Sequence, residues 1–188
     1  MKNILIINRK GGVGKTLVAD ELAFALDAKN VPYCFYDLDG QGGTLHEPVE
    51  MDNADISIID TPGSLQGEMG EWVKDADVVI IPMRPSVTDM PATETTIDLV
   101  KRNAPDTPIV YVVNGTNRFK ATKEFMEFFK EEHKDEPIAF NKYTGKADKN
   151  QAFTPDHITE FMCRVTGVDR TKRVLEIKTR YLIQFNVA

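Results

Sequence analysis

Short unbroken apolar runs alternate along this chain with longer stretches whose apolar residues recur at helical spacing. Residues 3–8 (NILIIN) form one such run, β-branched and uninterrupted, as in a strand buried on both faces. Residues 15–28 follow, with Leu17, Leu22, Ala25 and Leu26 on one side of a predicted helix. Further strands are predicted at 31–37, 56–60 (ISIID), 77–82 (DVVIIP) and 108–114 (PIVYVVN), with a sixth at 137–140. Helices are predicted between them at about 66–75, 88–103 and 119–134, the last with Phe125, Phe128 and Phe129 as its apolar stripe. Strands alternating with helices imply an α/β fold, a parallel sheet with helices on both faces. No repeat, low-complexity stretch or linker divides residues 1–188, so a single domain is expected. Toward the end, Leu175, Ile177, Tyr181, Ile183, Phe185 and Val187 alternate as in a strand. Val174, Ile177, Tyr181 and Phe185 equally fit a helical stripe, and both readings stay open.

Composition narrows the function classes. With 41% apolar and 28% charged residues in 188, the chain buries a core, which excludes a disordered chain or a disulfide miniprotein. Cys34 and Cys163 stand 129 positions apart with no CxxC, against a zinc ribbon, an iron–sulfur site or a disulfide framework. No apolar run approaches the 18 or so residues of a membrane span. Residues 1–7 run straight into Arg9-Lys10, unlike a signal peptide, so a cytoplasmic protein is expected. His46, His133 and His157 form no ligand spacing and are expected at the surface; Cys34 and Trp72 are expected to pack. Arg84 ends a strand and is open between the site and the surface.

The chemistry is concentrated after the first strand, at Arg9-Lys10-Gly11-Gly12-Val13-Gly14-Lys15-Thr16. Glycines let the backbone curl so that several N–H groups point at a polyphosphate, and the following helix adds its positive end. Lys15 would reach the β- and γ-phosphates, and the Thr16 hydroxyl would bind Mg²⁺. Arg9 stands where the general G-x-x-x-x-G-K-[ST] pattern has its first glycine, so the pattern met is K-G-G-x-G-K-T. Asp60 ends a buried strand, where a carboxylate can hold Mg²⁺ beside Thr16. Asp37 and Asp39 close the second strand, where two carboxylates near a γ-phosphate can position water and metal. Asp60–Gly63 reads as D-x-x-G, but residues 114–117 are Asn-Gly-Thr-Asn and not N-K-x-D, so guanine recognition is unsupported.

The loop resembles the deviant Walker A motif of the ParA/MinD family of ATPases. Tyr36-Asp37-Leu38-Asp39-Gly40-Gln41-Gly42 resembles the family's D-x-D-P-Q-G segment, with Gly40 in place of proline. Ile58-Ile59-Asp60-Thr61-Pro62-Gly63 resembles its Walker B strand end, and Val79-Ile80-Ile81-Pro82-Met83-Arg84-Pro85-Ser86 its V-I-I-P-V-x-P-S strand. The likeness covers roughly residues 1–116 and is greatest for the small plasmid-partition members. It implies a P-loop fold that binds ATP and Mg²⁺ through Gly11, Gly12, Val13, Gly14, Lys15 and Thr16, with Asn114 on the adenine and Thr16, Asp37 and Asp60 toward the metal. It implies that Asp39 positions the attacking water and that Lys10 crosses a dimer interface to the partner's nucleotide.

Charge bears on partners. Residues 141–188 carry nine basic and five acidic residues, a balance of +4, against −10 for residues 1–140. Arg164, Arg170, Lys172, Arg173, Lys178 and Arg180, with Lys142, Lys146 and Lys149, can bind DNA phosphates without sequence preference. A membrane-targeting amphipathic helix or a plain solvated face are the other readings of this region. The resemblance implies an ATP-dependent homodimer on the nucleoid, a centromere-binding ParB-like partner that stimulates slow hydrolysis, and a plasmid or other low-copy DNA as cargo. A conjugation-accessory or MinD-like division ATPase is the alternative. A metallochaperone or a small-molecule kinase or ligase on the same loop is less supported.

Overall fold

The computed structural model describes residues 1–40, 43–63 and 68–140. Within them the order is β1 (Lys2–Ile6), α1 (Lys15–Asp27), β2 (Cys34–Asp37), β3 (Val49–Glu50), β4 (Ile56–Asp60), α2 (Met69–Lys74), β5 (Val78–Met83), α3 (Met90–Asn103), β6 (Ile109–Val113), α4 (Lys120–Glu132) and β7 (Ile138–Phe140). One sheet runs β3-β2-β4-β1-β5-β6-β7, parallel throughout except for β3, which is antiparallel to β2.

The unbroken apolar runs are strands with both faces covered. On one face Ile4 and Ile6 join Phe35, Ile56, Ile58 and Ile80 beneath Val18, Ala19, Leu22, Ala23 and Leu26 of α1. On the other, Leu5 and Ile7 join Val79, Ile81, Tyr111 and Val113 beneath Met69 and Val73 of α2, Ile97 and Val100 of α3 and Phe129 of α4. Cys34 is buried and Trp72 packs at the edge of this second core, as expected.

Several expectations shift. The strand predicted at 31–37 begins only at Cys34, because Asn30 at φ 53° and the Val31 N–H bonded to Leu26 O make a turn closing α1. β3, two residues long, has no periodicity to reveal it. The buried stripe of α1 is Val18, Ala19, Leu22, Ala23 and Leu26, whereas Leu17 and Ala25 are half-buried. In α4 only Phe129 of the three phenylalanines is buried, and Phe128 is exposed. The strand-or-helix question at 174–187 and the basic residues from Lys142 to Arg180 lie outside the described residues.

Candidate nucleotide site

Strand order reverses around β1: the chain returns from β2 to β4, then crosses β1 to β5. In open α/β sheets ligands bind beyond the carboxyl ends of strands at such a point. The register sets which side chains meet there. Ile6 is level with Asp60, and Asp60 with Asp37, so the phosphate loop and both carboxylates leave the sheet side by side.

The loop is fastened before it turns. Asn8, fully buried, donates from Nδ2 to Pro82 O at 2.8 Å and Thr93 Oγ1 at 3.1 Å, while its Oδ1 accepts the Lys10 N–H at 2.8 Å. The Arg9 N–H donates to Thr96 Oγ1 at 3.1 Å. Gly12 and Gly14 then take φ of 71° and 93°, conformations costly for any residue with a Cβ. At Gly14 a Cβ would also stand 2.6 Å from Asn114 Nδ2. That amide donates to Val13 O at 2.8 Å, so Asn114, expected at the adenine, braces the loop from the end of β6. Gly63, after β4, brings its backbone against Gly11; a Cβ there would lie 3.3 Å from the Gly11 backbone and 3.4 Å from Lys15 Nζ.

Lys15 opens α1 and is 7% exposed. Burial lowers its pKa, and the nearby Asp60 and Asp39 carboxylates oppose that shift. Asp60 is fully buried, and burial raises its pKa to about 6; Thr16 and Lys15 pull it down, Asp37 and Asp39 push it further up. Neither Asp60 oxygen has a hydrogen-bond partner at proper geometry. A buried carboxylate so sparsely met by donors is costly on its own and suits a cation. With the Thr16 hydroxyl alongside, this all-oxygen donor set fits Mg²⁺. Asp37 Oδ1 accepts the Asp39 N–H at 2.9 Å, and Asp60 O accepts the Leu38 N–H at 2.9 Å, which holds Asp39 at the rim.

Lys10 points away from this pocket. Its Nζ stands 3.6 Å from Asp89 Oδ1, and Arg84 Nε donates to Asp89 Oδ2 at 2.7 Å. Asp89 is buried, and the two cations outweigh its burial and hold its pKa below the usual carboxylate range. Arg84 is thus exposed yet tied to the loop through Asp89. No motif singles out Asn8, Thr93 or Thr96, and Asp89 is signalled only by its place directly ahead of the Met-Pro that opens α3. Two histidines expected at the surface are instead largely covered. His46 packs against Phe24 and Phe35, and His133 against Tyr111 and Phe129, their side chains only 11% and 15% exposed. Burial lowers the His133 pKa. His157, Arg170, Lys172 and Arg173 lie outside the described residues.

Comparison with known proteins agrees with this geometry. The CobQ/CobB/MinD/ParA nucleotide binding domain matches residues 4–151. This chain belongs to that family. No curated protein matches it. Among solved structures it is similar to a plasmid partition protein from Borrelia burgdorferi, with TM-score 0.64, 18% identity, and 96% of this chain and 98% of that one covered. It is similar to a Cyanothece McdA variant in complex with ATP, with TM-score 0.63, 16% identity and coverage of 74% and 82%. It is similar to the Aquifex aeolicus cell division protein MinD, with TM-score 0.62, 16% identity and coverage of 100% and 99%. At such identities the likeness is one of fold. No helix among the described residues is long and apolar enough to cross a membrane.

Proposed function

We propose that this chain is a Mg²⁺-dependent ATPase of the ParA type, which dimerises on ATP, binds DNA without sequence preference and segregates a plasmid or other low-copy DNA. The observation that carries the nucleotide reading is Asp60, buried without a hydrogen-bond partner beside Thr16 and Lys15 at the mouth of a glycine loop. The partition reading is supported by the motif set and by the Borrelia partition protein among the structural neighbours.

In this reading the N–H groups of residues 11–16 surround the phosphates of ATP and Lys15 neutralises the β- and γ-phosphates. Thr16 and Asp60, with Asp37 beside them, would hold Mg²⁺, which would supply positive charge against the charge that develops on the phosphoryl oxygens. Asp39, held by Asp37, orients the attacking water. Lys10 leaves Asp89 and reaches the partner's nucleotide, so that binding and dimerisation are linked. Asn114 keeps the loop in shape and, in this reading, also meets the adenine. The basic residues of 141–188 meet DNA, and a ParB-like centromere-binding protein stimulates turnover.

The test is phosphate release from Mg²⁺-ATP by the full chain, with light scattering in ATP, ADP and no nucleotide, and duplex DNA added to each. Slow hydrolysis, an ATP-only dimer and DNA binding by that dimer are expected. A monomer in every nucleotide state would reject the partition mechanism. Dimers that choose anionic liposomes over DNA would favour a MinD-like role.

A further inference from the structure

Asp20 lies on α1 one turn beyond Thr16, and its side chain is 7% exposed. It interrupts the buried stripe formed by Val18, Ala19, Leu22, Ala23 and Leu26. A carboxylate in such a stripe is costly unless donors meet it. Here they come from one short segment of chain. The Leu45 N–H reaches both oxygens at 3.0 Å, Thr44 Oγ1 donates at 2.8 Å and His46 Nδ1 lies at 2.8 Å. The carboxylate only accepts, so Nδ1 carries the proton. The His46 ring lies edge-on to Phe24 at 4.2 Å between centroids, and its Nε2 is 3.5 Å from Asp27 Oδ2.

Residues 44–46 follow Asp39 closely. Five peptide steps separate Asp39 from Thr44, a span of at most about 17 Å. At its other end that stretch is held by the Asp39 N–H on Asp37 and the Leu38 N–H on Asp60 O. We infer that Asp20 is a positioning residue for ATP hydrolysis: by clasping residues 44–46 to the helix that begins in the phosphate loop, it fixes Asp39 relative to the γ-phosphate. The inference rests on the ATPase reading above. The clasp touches neither the glycine loop nor Lys15, so losing it spares nucleotide binding and misplaces the water. A shift of about 1 Å in a reacting group costs on the order of 100-fold in rate.

The experiment compares the full-length chain with Asp20→Ala and Asp20→Asn, using Mg²⁺-ATP for steady-state kinetics and a fluorescent ATP analogue for affinity. Asp20→Ala is expected to lower kcat at least tenfold, with KM and analogue affinity within about twofold of the parent. Asp20→Asn keeps an acceptor for the Leu45 N–H and should recover part of kcat. Hydrogen exchange at the Leu45 amide should speed up in the order parent, Asn, Ala. Should both Asp20 variants lose their thermal transition, Thr44→Val and His46→Gln remove clasp contacts from the loop side and should each lower kcat several-fold. Unchanged kcat in the folded variants, or affinity falling in step with kcat, would overturn the inference while leaving the ATPase reading standing. A parent chain that releases no phosphate would overturn both.

Discussion

Lys10 Nζ stands 3.6 Å from the buried carboxylate of Asp89, so the lysine that opens the glycine loop is held within its own chain. Arg84 shares the same carboxylate at 2.7 Å. If Lys10 serves a partner's nucleotide, this pair must break on dimerisation. Lys10→Ala should keep ATP binding and lose the ATP-induced dimer in light scattering. Asp89→Asn removes the competitor for Lys10. A half-exposed ion pair contributes at most about 1 kcal/mol, so its loss should tighten the ATP dimer by up to about fivefold. An Asp89→Asn dimer weaker than the parent's would place Asp89 in the interface itself.

Lys15, Asp60 and Asp39 separate binding from chemistry. Lys15→Ala should abolish nucleotide binding, because the phosphate charge is then unmatched. Asp60→Ala should remove the Mg²⁺ dependence of ATP affinity. Asp39→Ala should bind ATP, dimerise and hydrolyse near background. Equilibrium binding with a fluorescent nucleotide, with and without Mg²⁺, checks the first two, and phosphate release the third.

Gly14 ties the loop to β6. At φ 93°, with a Cβ that would lie 2.6 Å from Asn114 Nδ2, alanine is both strained and crowded. Gly14→Ala should lower stability by about 2 kcal/mol or more and weaken ATP binding. Asn114→Ala in the same chain should relieve the crowding but not the strain, recovering only part of the thermal loss.

Glu21, beside Asp20 on α1, gives a pH signature. Burial, reinforced by the Asp20 charge and opposed by His46, raises its pKa from 4.5 to about 7. The folded state therefore binds a proton that the unfolded chain releases near pH 4.5. Stability from this group is present below that pH and is lost as pH rises toward 7. Glu21→Gln should raise the melting temperature at pH 8 relative to the parent and change little at pH 4.5. A parallel shift at both pH values would assign the effect to packing.

The sheet was readable because its strands are buried on both faces and appear as uninterrupted apolar runs, as at Ile4–Ile7 and Val78–Ile81. The glycine loop was readable because Gly12 and Gly14 hold positive φ values that few other residue types adopt. What stayed hidden depends on contacts distant in sequence. Asp89 meets Lys10 across 79 residues, and His46 is packed against Phe24, Phe35 and Asp20 from two other elements. The stripe of α1 was half legible: Leu22 and Leu26 are buried as expected, but Leu17 and Ala25 are only half-buried, because the inward face also takes in the polar Lys15 and Asp20, whose partners lie on other elements. Phe128 reads as core from its type, yet it faces solvent because Phe129 takes the inward position on α4.

DNA binding is expected to reside in residues 141–188, where the charge balance is +4 against −10 for the remainder. A monomer offers few phosphate contacts and should bind weakly at physiological salt. A dimer doubles the contacts on one duplex and raises the effective concentration of the second set. Each neutralised phosphate contributes about −0.9 to the slope of log affinity against log salt. Replacing Arg170, Lys172 and Arg173 with alanine in both subunits should flatten that slope by several units when all these side chains touch phosphate. The loss should be the same for any duplex sequence, because phosphate contacts position without specifying. ATPase activity without DNA should survive, since none of the three belongs to the phosphate loop. Fluorescence anisotropy on random duplex across a salt series, with and without ATP, reads all of this. An unchanged slope in the triple variant, or equally tight binding without nucleotide, would move the DNA contact off these residues.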